Sequence, residues 1–158
     1  MLTITPLSPT DETPLSLLLL ADPSIKKVRA SLAQGTCYLA RLQDKTIGCL
    51  VLVPLSQQTI EIMNIAVDPT YHRQGIGTQL LAYAKTMVQR EGYATLEVGT
   101  GNSSIGQLAF YQKAGFRMVD IQPDFFLLHY DEPIIENGIL CRDMIRLQFS
   151  HFTGKTTL

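Results

Sequence analysis

The sequence predicts a mixed α/β fold from two observations. Three apolar runs of strand length follow one another across short polar turns, a pattern typical of neighbouring antiparallel strands. They are followed by a long amphipathic helix and another strand, and such a crossover joins parallel strands. We therefore expect a mostly antiparallel sheet of six to seven strands with a central parallel pair, flanked by about four helices.

The N-terminal part predicts one strand and two helices. Residues 2–6 alternate as a short strand does. Residues 10–12, Thr-Asp-Glu, are typical of a helix start, with Thr10 as the N-cap and acids in the first turn. This helix ends near Asp22, and a second helix over residues 24–34 stops at a glycine.

The middle of the chain predicts an antiparallel meander, a long helix and a further strand. Short polar turns separate the three strands of the meander, and apolar residues recur on one face of the helix. The predicted elements are the strands Thr36–Leu42, Thr46–Leu55 and Ile60–Val67, the helix Gly75–Glu91 and the strand Tyr93–Gly99.

The C-terminal part predicts a helix over Ile105–Lys113 and a strand over Phe116–Ile121. The segment Gln122–Gly138 is rich in proline, acids and aromatic residues and predicts irregular structure. Ile139–Phe149 predicts one long last strand. Its alternation leaves open a homodimer in which two copies pair across this strand as a free edge.

Length and composition predict a single domain, with its core in residues 1–150 and a tail in residues 151–158. The net charge of −1 disfavours a sequence-independent nucleic-acid binder, which carries a basic excess. Three widely spaced cysteines indicate no metal site and favour a reducing, cytoplasmic setting. We expect no membrane partner, because no apolar run could span a bilayer and no basic secretion leader is present.

The turn before the long helix has the chemistry of an anion site. Glycines let backbone N–H groups approach a ligand closely, and the first turn of a helix leaves about four N–H groups unpaired. Together with the helix dipole, such a turn suits a phosphate or pyrophosphate. A tight helix start without any ligand gives the same pattern. The turn consists of His72, Arg73, Gln74, Gly75, Ile76, Gly77 and Thr78.

Two motifs in this order resemble the GNAT superfamily of acyl-CoA-dependent N-acyltransferases. Family members carry Gln/Arg-x-x-Gly-x-Gly/Ala in the turn, where this chain has His72 in the first position. Residues 109–116, Ala-Phe-Tyr-Gln-Lys-Ala-Gly-Phe, are similar to the second family motif, Tyr-x-Lys-x-Gly-Phe. The resemblance covers at least residues 60–121.

The resemblance implies acetyl-CoA as co-substrate. Its pantetheine arm would enter a gap between the fourth and fifth strands and pair with strand backbone, and its pyrophosphate would lie on the N–H groups of the turn. The family also places an asparagine near residues 102–104 against the cofactor. The implied cofactor-binding residues are Ile65, Ala66, Val67, His72, Arg73, Gln74, Gly75, Ile76, Gly77, Thr78, Asn102, Ser104 and Tyr111.

The resemblance also implies two catalytic side chains. Tyr111 matches the family tyrosine whose hydroxyl faces the thioester sulfur, so it is the candidate acid for the departing thiolate. A helix tyrosine that only packs on the sheet is the alternative. Glu61 is the candidate base, with Glu97 and His129 as weaker rivals, and a surface glutamate is the alternative. Strand alternation places Glu61 on one face together with Met63, Ile65 and Val67.

The predicted function is an N-acetyltransferase that moves the acetyl group of acetyl-CoA to a primary amine by direct attack. We expect the acceptor pocket between the first helices and residues 122–138, whose acids and aromatic rings suit a cationic amine. A capping loop with solvated acids is the alternative there. A catalytically silent acyl-CoA-binding or sensor module is the rival function, and it would need neither Tyr111 nor Glu61. A structural domain that pairs through its last strand is a third possibility.

Overall fold

The computed structural model describes residues 1–150, and the predicted tail lies outside this part. None of its helices has the length and apolar character that crossing a membrane requires. In chain order the elements are β1 (Leu2–Pro6), α1 (Leu15–Ala21), α2 (Ile25–Gln34), β2 (Thr36–Leu42), β3 (Lys45–Pro54), β4 (Thr59–Val67), a 3-10 turn (Pro69–Tyr71), α3 (Ile76–Arg90), β5 (Thr95–Gly101), α4 (Ile105–Lys113), β6 (Arg117–Gln122), α5 (Phe125–His129), β7 (Ile134–Glu136), β8 (Ile139–Cys141) and β9 (Met144–Ser150).

Seven strands form one sheet in the order β1-β2-β3-β4-β5-β9-β6. Every neighbouring pair is antiparallel except β4 and β5, which are parallel and are joined by the crossover helix α3. The strands β7 and β8 form a separate two-stranded sheet. The predicted fold class, a mixed sheet with a central parallel pair, is confirmed.

Helices cover both faces of the sheet, so the core has two parts. The buried positions of α3, among them Leu80, Leu81 and Ala84, recur at helical spacing and pack with α4 on one face. On the other face, Leu18 of α1 and Val28 of α2 pack on apolar residues of β2 and β3. The helix that follows the glycine-bearing turn, α3, therefore lies on the first face together with α4, and α1 and α2 cover the second face.

A bulge interrupts the alternation of β4. In the ladder with β3, Val51 pairs with Asn64 and Leu52 pairs with Ile62. Met63 is therefore an extra residue on β4, and an extra residue of this kind bends a strand and reverses the faces beyond it. The side chain of Met63 is exposed.

The bulge makes one prediction wrong. Ile62, before the bulge, and Ile65, after it, both pack with the α3–α4 core, whereas Ala66 packs with α1 and α2. Strict alternation would have separated Ile62 from Ile65. Glu61 therefore does not share a face with Ile65 and Val67, because the extra residue between them shifts the period.

The sequence predicted a first helix capped by Thr10, but the helix begins at Leu15, so this prediction is wrong. The acid that was expected in its first turn is used elsewhere. The carboxylate of Asp11 accepts the backbone N–H of Ser8 at 2.7 Å and pairs with Arg41 at 2.6 Å. The hydrogen bond to Ser8 holds the pKa of Asp11 below its ordinary value.

The predicted single strand Ile139–Phe149 is two strands, β8 and β9. Asn137 and Gly138 both have positive φ, 57° and 72°, and form the tight turn of a β7–β8 hairpin. The segment expected to be irregular contains α5 and β7. Because β9 lies between β5 and β6, it has no free edge. Pairing of two copies through this strand is therefore wrong, and a homodimer by another route stays a prediction.

Candidate active site

The turn of residues 72–78, called the glycine turn below, presents backbone donors to solvent. Arg73 and Gly75 both have positive φ, 63° and 77°, which lets the chain enter α3 sharply. No side chain caps the N-terminus of α3. The first backbone hydrogen bond of the helix runs from the N–H of Gln79 to the carbonyl of Gly75, at 3.0 Å. The N–H groups of residues 76–78 thus have no acceptor inside the helix.

The outer side of the glycine turn faces solvent, and its inner side packs against α4. The side chains of residues 72–75 are exposed, so nothing in the described chain covers the turn. A Cβ at Gly77 would lie 3.5 Å from the ring of Phe110, in ordinary contact distance. Free N–H groups at the positive end of a long helix, beside an arginine, can bind a phosphate anion.

His72 ties the glycine turn to the end of β4. Its Nε2 lies 2.9 Å from the carbonyl oxygen of Val67, and its backbone N–H donates to the carbonyl of Pro69. Asp68 caps the same turn by accepting the N–H of Thr70 at 2.9 Å, and this bond lowers the pKa of Asp68. The backbone N–H of His72 is therefore already used, and contact of its side chain with a cofactor stays a prediction.

A gap opens between β4 and β5, as predicted. The two strands pair only as far as Ile62 and Val98, although β4 continues to Val67 and β5 continues to Gly101. Beyond the last pair, β4 stays with β3 and β5 stays with β9. The bulge of β4 lies at the point where the two strands separate. We call this opening the strand gap.

Backbone amides line the β4 side of the strand gap. Asp68 donates its N–H to the carbonyl of Ile47 on β3 at 2.7 Å. Because donors alternate along an antiparallel ladder, Ala66 also faces β3. The N–H groups of Ile65 and Val67 consequently face the gap. An extended ligand with amide groups can pair with this edge as an added strand does.

Tyr111 lies on the α3–α4 face of the sheet. It is 2% exposed, and its ring packs against Phe110 and Phe116 with centroids 5.2 and 5.6 Å apart. Burial raises the pKa of Tyr111. Its hydroxyl is therefore protonated at neutral pH, which is the state that a proton donor needs.

A cavity of about 760 Å³ lies on the other face of the sheet. Its walls come from α1 and α2, from both edges of the strand gap, from β9 and from the segment of residues 122–136. These are the elements between which the acceptor pocket was predicted. Charged groups from six elements or their ends line it. They are Asp22, Lys27, Glu61, Glu97, Glu136 and Arg146.

A buried ion-pair cluster forms the floor of this cavity. Arg146 on β9 donates Nη1 to Glu61 Oε2 at 3.1 Å and Nε to Glu97 Oε1 at 3.0 Å, and its Nη2 pairs with the same Glu97 oxygen. Gln148 donates to Glu97 Oε2 at 3.2 Å. Burial alone would lower the pKa of Arg146, but the two carboxylates outweigh it and leave that pKa raised.

The two predicted catalytic side chains lie on opposite faces of the sheet. Ile60 and Ile62 pack in the same core cluster as Tyr111. Glu61, between them on β4, points the other way into the cavity. The structure therefore places Tyr111 in the α3–α4 core on one face of the sheet and Glu61 in the cavity on the other face.

The model of the acetyltransferase (GNAT) family matches residues 8–116. The chain belongs to this family. A curated relative, the uncharacterized N-acetyltransferase YvbK of Bacillus subtilis, is 53% identical over 131 residues, which cover 83% of this chain and 84% of the relative. The predicted class, a GNAT N-acetyltransferase, is confirmed.

Solved structures support the same assignment. A GNAT family acetyltransferase from Elizabethkingia anophelis, determined with acetyl-CoA bound, has a TM-score of 0.93 and 48% identity, covering 94% of this chain and 97% of that chain. A Bacillus subtilis acetyltransferase in complex with CoA has a TM-score of 0.88 and 48% identity, covering 95% and 99%.

In this GNAT enzyme Asn102 holds the connection between β8 and β9. Its side-chain amide donates to one backbone carbonyl and accepts two N–H groups of residues 140–143, at 2.8 to 3.1 Å. Ser104 donates its hydroxyl to Glu136 at 2.9 Å. Ser104 is thus engaged with the wall of the cavity and Asn102 with the connection beside it, and their contacts with a cofactor stay predictions.

The rim of the cavity joins α5 to the start of α2. The hydroxyl of Tyr130 donates to Asp22 at 3.0 Å, and the amino group of Lys27 lies 5.3 Å from the centre of the Tyr130 ring. The ring of His129 packs against that of Phe125, with centroids 4.4 Å apart and planes tilted by 46°, and His129 is not among the residues that line the cavity. This position disfavours His129 as the base.

The sequence interpretation missed the role of Arg146. Its signal was present, because a cation stands between Ile145 and Leu147 in a strand whose neighbours pack in the core. A charged residue at such a position needs a buried partner. No group of three or more His, Cys, Asp or Glu side chains in residues 1–150 is arranged to hold a metal.

Proposed function

We propose that this GNAT enzyme transfers the acetyl group of acetyl-CoA to a cationic primary amine by direct attack. The observation that carries the proposal is the position of the strand gap. The backbone donors of the glycine turn lie on one side of it, and residues from both of its edges line the cavity on the other side. The thioester would lie in the gap and the amine would approach from the cavity.

The donor side binds acetyl-CoA through backbone. The diphosphate lies on the N–H groups of residues 73–78, and a pantetheine amide pairs with the free edge of β4 at Val67, the gap-facing N–H nearer to the turn. A depression of about 260 Å³ beside the turn is lined in part by the exposed Lys113, which adds positive charge for the remaining phosphate of this polyanion, whereas Lys85 donates its amino group to the carbonyl of Ala114. The Elizabethkingia relative that was solved with acetyl-CoA supports this choice of donor.

Glu61 acts as the base. An alkyl amine has a pKa of about 10.4, so it arrives as an ammonium and must lose a proton before it can attack. Glu61 commits only Oε2 to Arg146, and no described hydrogen bond uses its Oε1. Glu97 commits both oxygens, to Arg146 and to Gln148. This difference favours Glu61 over Glu97.

The reaction then needs one donor for the oxyanion and one for the leaving group. The amine nitrogen attacks the thioester carbon, and the backbone N–H of Ile65, which faces the strand gap farther from the glycine turn than that of Val67, stabilises the oxyanion. The carbon–sulfur bond breaks, and the thiolate takes a proton from Tyr111, whose raised pKa keeps the hydroxyl protonated. The nitrogen loses two protons in all: Glu61 takes the first from the ammonium and releases it to solvent, and the second, lost as the tetrahedral intermediate collapses, replaces through solvent the proton that Tyr111 gave to the thiolate. Because the amine attacks the thioester directly, no covalent intermediate forms on the enzyme.

The charge of the cavity supports a cationic acceptor. Four carboxylates and two cations line it, and the aromatic rings of Phe125, Phe126 and Tyr130 complete its wall. A positively charged amine is attracted to the carboxylates and to the faces of the aromatic rings, whereas a carboxylate on the acceptor is repelled by the net negative charge of the cavity. The three cysteines are unpaired and buried, which supports the cytoplasmic setting that we propose.

The test is acetyl-CoA-dependent thiol release with a panel of primary amines at pH 8, combined with calorimetry of coenzyme A. We expect micromolar binding of the coenzyme and release that depends on a cationic amine. Binding without release on any amine would remove the acceptor proposal, and absence of both would remove the whole assignment. Glu132, an exposed acid that does not line the cavity, supplies the control Glu132→Gln, which keeps full turnover.

A further inference from the structure

We propose that Arg146 is a positioning residue of this acetyl transfer. It holds two adjacent carboxylates at the strand gap so that Glu61, and not Glu97, keeps an oxygen free for the acceptor amine. The inference rests on the proposed function and deepens it, because it explains how the enzyme selects one of two adjacent carboxylates as its base.

The two carboxylates stand side by side. Glu61 and Glu97 are partners in the parallel β4–β5 ladder, one position before the last pair, Ile62 and Val98. Their side chains leave the same face of the sheet and are 12% and 17% exposed. Adjacent like charges on neighbouring strands repel, and in a site shared by two carboxylates one of them holds its proton to higher pH.

Gly99 makes room for the arginine that bridges them. Arg146 is opposite Gly99 in the β5–β9 ladder. A Cβ on Gly99 would lie 2.6 Å from Arg146 Nη1 and 2.5 Å from the sulfur of Met144. The guanidinium therefore crosses over bare backbone at this position to reach β4, and any side chain there would displace it.

The two carboxylates differ in how many of their oxygens accept a hydrogen bond. Glu97 is held at both oxygens by Arg146 and Gln148, so its geometry is fixed and it has no oxygen left in the described bonds. Glu61 is held at one oxygen, 3.1 Å from Arg146. The same guanidinium thus orients Glu61 and leaves its second oxygen available.

No other cation bonds to this pair within the described residues. Asp22 accepts from Tyr130, and the two hydroxyls of residues 103 and 104 donate to Glu136. The amino group of Lys27 faces the Tyr130 ring. Arg146 therefore sets the local charge around Glu61. The titratable or charged groups that face the cavity are Asp22, Lys27, Glu61, Glu97, Tyr130, Glu136, Cys141 and Arg146.

The test is the pH profile of kcat at saturating acceptor, where titration of the free amine does not enter. Without the guanidinium the two carboxylates repel, so Glu61 is protonated at a higher pH and is lost as a base below it. In Arg146→Gln we expect the acid limb of kcat to move up by about 1 to 2 pH units. Arg146→Lys should give a smaller shift.

Removing the second carboxylate separates positioning from folding. The double variant with Glu97→Gln added to Arg146→Gln has no like charge beside Glu61, so its acid limb should return toward that of the wild type. A merely structural role of Arg146 predicts no such return. The matched control is Arg142→Gln, an exposed arginine paired with Asp124 outside the cavity, and its profile should not change.

Gly99→Ala tests the same point with every charge retained, and it replaces Arg146→Gln if that variant does not fold. The added methyl displaces Arg146 and should also move the acid limb upward. An active wild type whose acid limb stays in place in both Arg146→Lys and Gly99→Ala would overturn the inference. A wild type without any amine-dependent release would instead overturn the proposed function, and the inference with it.

Discussion

The two sides of the strand gap are built by different means. The donor side consists mainly of backbone groups from one continuous stretch, residues 65–78, and its first helical N–H groups, those of residues 76–78, have no acceptor inside the helix. The acceptor side is a cavity lined by side chains from helices and strands that are far apart in the chain. A cofactor shared by a whole family can be bound by backbone that tolerates changes of side chain. An acceptor must be recognised by side chains, which can differ from one enzyme to the next.

Changing the base should have the largest effect and should act on the acceptor side alone. Glu61→Gln keeps the shape of the side chain and its bond to Arg146 but cannot accept the amine proton. We expect kcat to fall about 100- to 1,000-fold, in the range of general-base catalysis. The Kd of acetyl-CoA, measured by calorimetry, should change less than about twofold. A kcat within about threefold of the wild type would show that Glu61 is not the base.

A bulky residue in the glycine turn should damage the donor side alone. The leucine of Gly77→Leu would meet Phe110 and disturb the first N–H groups of α3. Each lost bond to a charged group costs about 1.5 to 3 kcal/mol, so we expect acetyl-CoA to bind about 100-fold more weakly. Gly106→Leu, at an open position of α4, is the control for helix stability. Equal affinity in both variants would contradict phosphate binding at this turn.

Loss of the Tyr111 hydroxyl should slow the reaction without weakening the donor. Tyr111→Phe keeps the buried ring and its contacts with Phe110 and Phe116. We expect kcat to fall about 10- to 100-fold, while the Kd of acetyl-CoA stays within about twofold. The comparison of kcat with Kd is the readout. If kcat is unchanged, Tyr111 is a packing residue and the leaving thiolate takes its proton elsewhere.

The smallest effect should come from His72. The variant His72→Ala loses the bond between Nε2 and the carbonyl of Val67, which joins the glycine turn to β4. One neutral hydrogen bond contributes about 0.5 to 1.5 kcal/mol, so the KM for acetyl-CoA should rise about two- to tenfold. The KM for the amine should not change. A loss of kcat with unaltered KM would assign His72 to the chemistry instead.

The local parts of this architecture were predictable from sequence, because short-range rules determine them. The periodicity of α3 and the glycines at its start and after its end fix that helix without reference to the rest of the fold. The parallel pair followed from the crossover. The Asn137–Gly138 turn was also a local signal, and a hairpin there would have predicted β7 and its pairing with β8. The division of the last strand falls instead at residues 142–143, which carry no such turn signal.

The acceptor side was not predictable in the same way. The bulge at Met63 depends on how β3 and β4 align, and no local rule for β4 alone contains that information. The role of Arg146 depends on the bare backbone of Gly99 and on two carboxylates 85 and 49 positions away in sequence. The cavity could be placed between the right segments, but its charge pairs required the register of the sheet.

The most direct test of the account is a crystal structure of the protein with coenzyme A and an unreactive amine. We expect the diphosphate oxygens at about 3 Å from the N–H groups of the glycine turn and the sulfur in the strand gap beyond Ile62 and Val98. We expect the amine in the cavity, within hydrogen-bond reach of Glu61. A coenzyme bound away from the glycine turn, or an amine on the same face as Tyr111, would contradict this arrangement.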